Sequence, residues 1–168
     1  MPRLTPRHFA LAAVSALALQ ALSAFDAAAH QQATFTVTIR NVATDRTLEL
    51  PDGTTTGVPI APGAYAIVAD GAMLYDSGSA AGSNSLEDLA EDGNAEPLIA
   101  RLKATPGVRE AGLFIPGQPF DVTVRPGERL VFASMFVQSN DLFLAPHPRG
   151  LALFDGKSRP LGGDVTND

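Results

Sequence analysis

The chain has 168 residues, of which 45% are hydrophobic and 18% are charged, and this composition is typical of one folded globular domain. It contains no cysteine, which excludes a disulfide framework and a thiolate metal site. The net charge of −6 argues against nucleic acid or an anionic membrane as a partner.

The N-terminal segment has the three parts of a secretory signal peptide. Arg3 and Arg7 precede an apolar run over 9–22, and an alanine triplet ending at residue 29 provides a small-residue cleavage site. We therefore predict a signal peptide at 1–29. A membrane anchor is the alternative, because the apolar run is only slightly shorter than the roughly 17–25 residues of a spanning helix.

The predicted mature domain covers 30–168 and is secreted, to the periplasm or to the extracellular space. Within it 17 acidic side chains stand against 10 basic ones, so we expect no nucleic-acid partner. Cleavage removes the apolar run at the N-terminus, so we also expect no membrane span in the mature protein.

Alternating apolar and polar residues predict strands in the first half of this domain. Residues 33–42 place phenylalanine, valine and isoleucine on one face and threonines on the other, as in a half-buried strand. Shorter strands are expected at 47–50, 65–69 and 73–75, with a connector rich in Thr, Pro and Gly at 54–63. The 15 glycines and 13 prolines of the chain favour such a turn-rich, all-β fold.

A short helical insertion is predicted over 84–104. Leu86 and Leu89 recur at helical spacing, and Gly93 is placed to end that helix as its C-cap. A second short helix is expected over 97–104, with its leucines directed toward the core.

The most apolar stretch of the domain is 128–146. Its first part is nearly all apolar, which predicts a strand buried on both faces. The polar residues 138–141 then turn the chain and place Asp141 in a loop between two apolar segments. Two further strands, over 108–115 and 119–125, precede it and are separated by Pro-Gly turns. Together the elements predict an antiparallel β-sandwich with a helical insertion.

Four segments resemble the spondin N-terminal domain family, which includes the N-terminal domains of F-spondin and mindin and many small exported bacterial proteins. SMFVQSNDLF at 134–143 is similar to the family's S-x-x-x-P-S-x-D-W-F segment. FTVTIRN at 35–41, LAEDGN at 89–94 and GLALFD at 150–155 match further family segments, in the family's order. The bacterial exported branch is the most similar.

The resemblance implies a C2-like β-sandwich that binds one calcium ion and acts as an extracellular binding or cell-adhesion module. The aspartate of the P-S-x-D-W segment is a calcium ligand in the family, and it corresponds to Asp141. A second ligand is expected from the neighbouring strand, where Asp121 is the match. Alternation supports that match, because residues 120, 122 and 124 would face the core and leave Asp121 outward.

The chain departs from the family at several positions. Gln138 stands where a proline is common, and Leu142 replaces the tryptophan. The chain ends at Asp168, before the W-D-x-G-T-[DE] stretch that supplies further acidic ligands in the family, so it is expected to be truncated at the C-terminus. We expect this to weaken calcium binding and to leave an unpaired sheet edge that promotes self-association. The alternative for Asp141 is that it caps a turn through its own backbone.

Two other groups of side chains have weaker functional interpretations. A mature chain that begins at His30 could bind copper through its amino terminus and two imidazoles, with His147 as the second. The acidic residues of 87–92 are expected to form a solvated helix face.

Two classes of function follow. The first is an exported, non-catalytic binding or adhesion module for an extracellular or cell-surface ligand. The second is a copper-binding protein or oxidoreductase that uses His30.

Overall fold

The computed structural model describes residues 31–69, 71–79 and 85–163, and the predicted signal peptide at 1–29 lies outside these ranges. The described part is β-rich, with nine strands and two short helices. The strands are β1 (Ala33–Thr38), β2 (Leu48–Glu49), β3 (Thr55–Thr56), β4 (Gly63–Val68), β5 (Val108–Phe114), β6 (Pro119–Val124), β7 (Arg129–Met135), β8 (Phe143–Leu144) and β9 (Leu151–Ala152). The helices are α1 (Leu86–Asp92) and α2 (Glu96–Ala104).

All strand pairs are antiparallel, as the sequence predicts. The largest sheet has the order β5-β4-β7-β8, and β9 also pairs with β7. The first strand pairs with β6 in a separate two-stranded ribbon, and β2 pairs with β3. The chain therefore leaves the larger sheet after β5 and returns to it at β7.

Strand β7 lies at the centre of the larger sheet and confirms the predicted buried strand. It pairs with β4 along one edge, while β8 and β9 pair with the two ends of its other edge. Leu130 and Val131 are adjacent in sequence, point to opposite faces and are both buried. An apolar side chain on each face of a strand requires packing on each side, which explains the almost uninterrupted apolar sequence.

The two faces of the larger sheet bury different partners. One face carries the alanines of β4 and packs against the leucines of both helices, including Leu89 and Leu98. The opposite face carries Tyr65 and Ile67 of β4 and packs against the ribbon, where Val122 is buried. The sheet thus lies between a pair of helices and a pair of strands.

Both predicted helices form where helical spacing indicates them. In α1 the leucines face inward, and Gly93 ends the helix with φ 66°, donating its N–H to the Leu89 carbonyl at 3.1 Å. In α2 the fully buried residues are Leu98 and Leu102.

Two segments of the first half differ from their predicted structure. Residues 73–75 do not form a strand, because Leu74 is buried against the helices and its carbonyl accepts a hydrogen bond from the Arg101 guanidinium at 3.1 Å. The Tyr75 hydroxyl donates to the Pro146 carbonyl at 2.9 Å, which attaches this segment to the loop before β9. The connector at 54–63 contains the short strand β3.

The ribbon buries the aromatic side chains on its side of the larger sheet less completely than the apolar sequence of β7 predicts. Phe114 and Phe154 are buried, whereas Phe132 of the predicted buried strand is only half-buried. Phe132 lies on the ribbon side of the larger sheet, and its ring contacts Phe114 with 5.8 Å between centroids. A ribbon of two strands is narrower than the sheet it covers, which leaves part of this face accessible.

Candidate functional site

The candidate site is built on the β7–β8 loop (residues 136–142), which begins where the buried strand β7 leaves the sheet. The loop closes on itself, because the Phe136 N–H donates to the Leu142 carbonyl and the Ser139 N–H donates to the Phe136 carbonyl, each at 3.0 Å. Leu142 is 55% exposed and Val137 is 44% exposed. The loop therefore presents two apolar side chains to solvent on a closed backbone.

The base of this loop is attached to the segment before β4. Ser134 is buried and donates its hydroxyl to the Ala61 carbonyl at 2.6 Å. The Ala61 N–H donates to the Met135 carbonyl, and the Val137 N–H donates to the Pro59 carbonyl, each at 3.3 Å. These bonds fix the point at which the loop leaves the sheet.

Ser134 is a positioning residue to which sequence reasoning gave no role. It is the polar side chain that is fully buried in β7, and a polar group inside an apolar strand must find a buried partner. That requirement is the signal by which it could have been identified. Its acceptor, the Ala61 carbonyl, could not be found from the sequence, because the two residues are 73 positions apart.

Asp141 is exposed at the end of the loop. Its backbone N–H donates to the Ser139 hydroxyl at 3.2 Å, so Ser139 and not Asp141 caps this turn. The turn-capping role considered for Asp141 is therefore wrong. Within residues 31–69, 71–79 and 85–163, no hydrogen bond reaches the Asp141 carboxylate, which leaves both of its oxygens available.

Asp121 lies on β6 and points outward, as alternation predicts. It stands opposite Thr36 of β1, whose hydroxyl donates to the Asp121 carboxylate at 2.7 Å. This hydrogen bond joins the two strands of the ribbon on their exposed face. A carboxylate accepts more than one hydrogen bond or ligand, so Asp121 retains acceptor capacity.

The structure places the two candidate calcium ligands on different sheets. Asp121 belongs to the ribbon, and Asp141 belongs to a loop of the larger sheet. Among the described residues, no group of three or more His, Asp or Glu side chains is arranged to hold a metal ion. Because calcium takes about 6–8 oxygen ligands, backbone carbonyls and water would have to complete any site formed by these two residues.

The remaining candidates give no assembled site. His147 is exposed in a turn, where its Nδ1 accepts a hydrogen bond from the Arg149 N–H at 3.3 Å. His30, the other candidate copper ligand, lies outside the described residues. The acidic side chains of α1 are all exposed, which confirms the predicted solvated face.

Comparisons of the chain with protein-family models, with curated proteins and with solved structures found no match. The resemblance to the spondin N-terminal family therefore stays a prediction. Among the residues that the structure describes, neither helix is long and apolar enough to cross a membrane.

Proposed function

We propose that the protein is an exported, non-catalytic binding or adhesion module that contacts an extracellular or cell-surface ligand through the β7–β8 loop. The signal-peptide pattern at 1–29 supports export, and the segments that resemble the spondin N-terminal family support an adhesion role. The antiparallel pairing and the packing of the ribbon against the larger sheet support a C2-like β-sandwich.

The observation that carries this proposal is the composition of the loop surface. Leu142 and Asp141 are adjacent and both exposed, and the Asp141 carboxylate has no hydrogen-bond partner in the described part of the chain. An apolar group beside an available carboxylate suits a ligand that presents an apolar surface next to a cation. Because hydrogen bonds already fix the base of the loop, little conformational entropy would be lost on binding.

Calcium is the proposed cation, with Asp141 of the loop and Asp121 of the ribbon as the side-chain ligands that the family resemblance implies. Two carboxylates are few for a hard cation, so we propose an affinity in the range of weak extracellular modules, with a dissociation constant of about 10⁻⁴–10⁻³ M.

Replacement of Leu142 by lysine should weaken binding of the purified protein to the surface of the cells that produce it. The substitution puts a charge on the apolar part of the loop while leaving the buried core intact. We expect saturable binding of the fluorescently labelled protein and at least a tenfold weaker apparent affinity for Leu142→Lys, equivalent to the loss of about 1.4 kcal/mol.

Leu161→Lys is the matched control, because Leu161 is 46% exposed and lies outside the loop. It should bind as the parent protein does. Binding that does not saturate, or equal losses in the two variants, would refute the assignment of the ligand surface to this loop.

A further inference from the structure

Strand β5 forms an open edge of the larger sheet. It pairs with β4 along one side, and no strand in the described part of the chain pairs with its other side. The strand is seven residues long and contains no proline. Unpaired N–H and C=O groups along such an edge form a template on which another strand can add.

The charges of β5 are engaged within the molecule and do not protect this edge. Arg109 forms an ion pair with Glu128 at 2.8 Å, across the end of β4. Glu110 accepts a hydrogen bond from the Tyr65 hydroxyl at 3.0 Å. Edge strands are usually protected by free charged side chains, and residues 111–115 carry none.

The exposed residues at the end of this edge are apolar and share one face. Leu113 is 51% exposed and Ile115, which directly follows the strand, is 41% exposed. Ala111 lies on the same face, because side chains alternate along a strand. Gly112 lies on the opposite face, where the Tyr65 ring occupies the position of its missing side chain.

This edge is complementary to itself in one antiparallel register. Pairing centred on Leu113 sets that residue opposite its own copy and sets Ala111 opposite Ile115, so the pairs formed by residues 111–115 on this face are apolar. A centre at Gly112 would place Arg109 against Ile115, and a centre at Ala111 would place Arg109 against Leu113. Only the first of these registers keeps Arg109 from standing opposite Leu113 or Ile115.

We propose that a second copy of the chain adds to the β5 edge, so that two sheets join about a twofold axis at Leu113. This isologous contact does not depend on the proposed ligand or on calcium. The contact is small, so the dimer is weak, with dissociation in the micromolar to millimolar range. Each chain carries a net charge of −6, so added salt strengthens the dimer by screening the repulsion between copies.

Sedimentation velocity of the purified protein from roughly 10 µM to 1 mM tests the dimer. We expect a concentration-dependent dimer that Leu113→Lys converts to a monomer over the whole range. Leu161→Lys, which also replaces an exposed leucine, should dimerise as the parent does, and thermal melts should show that both variants fold. A monomeric parent, or a dimer that persists in Leu113→Lys, would overturn the proposal.

The absence of cysteine from the chain permits a second test, of the register. Cross-strand partners in an antiparallel pair have Cα atoms about 4.5–5.5 Å apart, within the range that a disulfide spans. Air oxidation of Leu113→Cys should therefore give a disulfide-linked dimer, and Leu161→Cys should stay a monomer under the same conditions. Equal cross-linking of the two variants, or none in Leu113→Cys, would show that the edges do not meet at Leu113.

Discussion

The Gly63→Ala variant should lose about 3 kcal/mol or more of unfolding free energy, because the added methyl group has no space. Gly63 begins β4 in the middle of the larger sheet. A Cβ atom there would meet the Ala133 carbonyl oxygen of β7 and would lie 2.7 Å from the Phe114 ring. The backbone could move away only by breaking strand pairs on both sides of β4. Urea denaturation of the variant and the parent protein measures the difference.

Gly156→Ala is the control for this substitution. Gly156 has open space at the position of its missing Cβ atom and does not have a positive φ. We expect its unfolding free energy to lie within about 0.5 kcal/mol of the parent value. Similar losses in the two variants would mean that β4 does not pack against β7 and Phe114 as described.

Phe114→Ala should lower the unfolding free energy by about 3–5 kcal/mol, since it removes a side chain that is only 1% exposed and leaves a cavity. The ring contacts Phe120 of the ribbon and Phe132 of β7, with centroid separations of 6.3 Å and 5.8 Å. Its loss therefore weakens the contact between the ribbon and the sheet. Denaturant melts give the free-energy change.

Phe132→Ala removes the same group from a half-buried position and is the matched control. Phe132→Ala removes less buried apolar surface than Phe114→Ala does, and solvent can fill part of the space. We therefore expect the unfolding free energy to fall by roughly 1–2 kcal/mol. Equal losses at the two positions would contradict the incomplete coverage of the ribbon-facing side of the sheet.

Those parts of the fold that depend on local sequence could be predicted. The long strands, both helices and the Gly93 cap are set by alternation, by helical spacing and by the conformational freedom of glycine. The turn at Gly117 also forms as expected, because a glycine with φ 81° follows a proline there.

Features set by distant parts of the chain could not be predicted. The first strand pairs with β6, so Thr36 meets Asp121 across 85 positions, and no local pattern indicates that partner. Residues 73–75 have the composition of a strand, yet they form none, because Leu74 packs in the helix-facing core. The half-buried state of Phe132 depends on the width of the opposing ribbon, which its own strand cannot encode.

The candidate site shows the same division. Two predictions about the site are confirmed: Asp141 lies in a loop after a buried strand, and Asp121 points outward from strand β6. It could not show that Ser139 caps the loop, nor that the two carboxylates belong to different sheets. Both facts depend on the folded backbone rather than on residue type.

A calcium titration followed by NMR of the isotope-labelled protein is the most direct test of the proposed site. We expect saturable shifts of the backbone amides around Asp141 and Asp121, with a dissociation constant of about 10⁻⁴–10⁻³ M. Asp141→Asn should abolish them. The exposed acidic residues of α1 provide an internal control, and their amides should show only small, non-saturating changes. Largest shifts in α1, or no saturable shift at Asp141, would contradict the proposed calcium site at the β7–β8 loop.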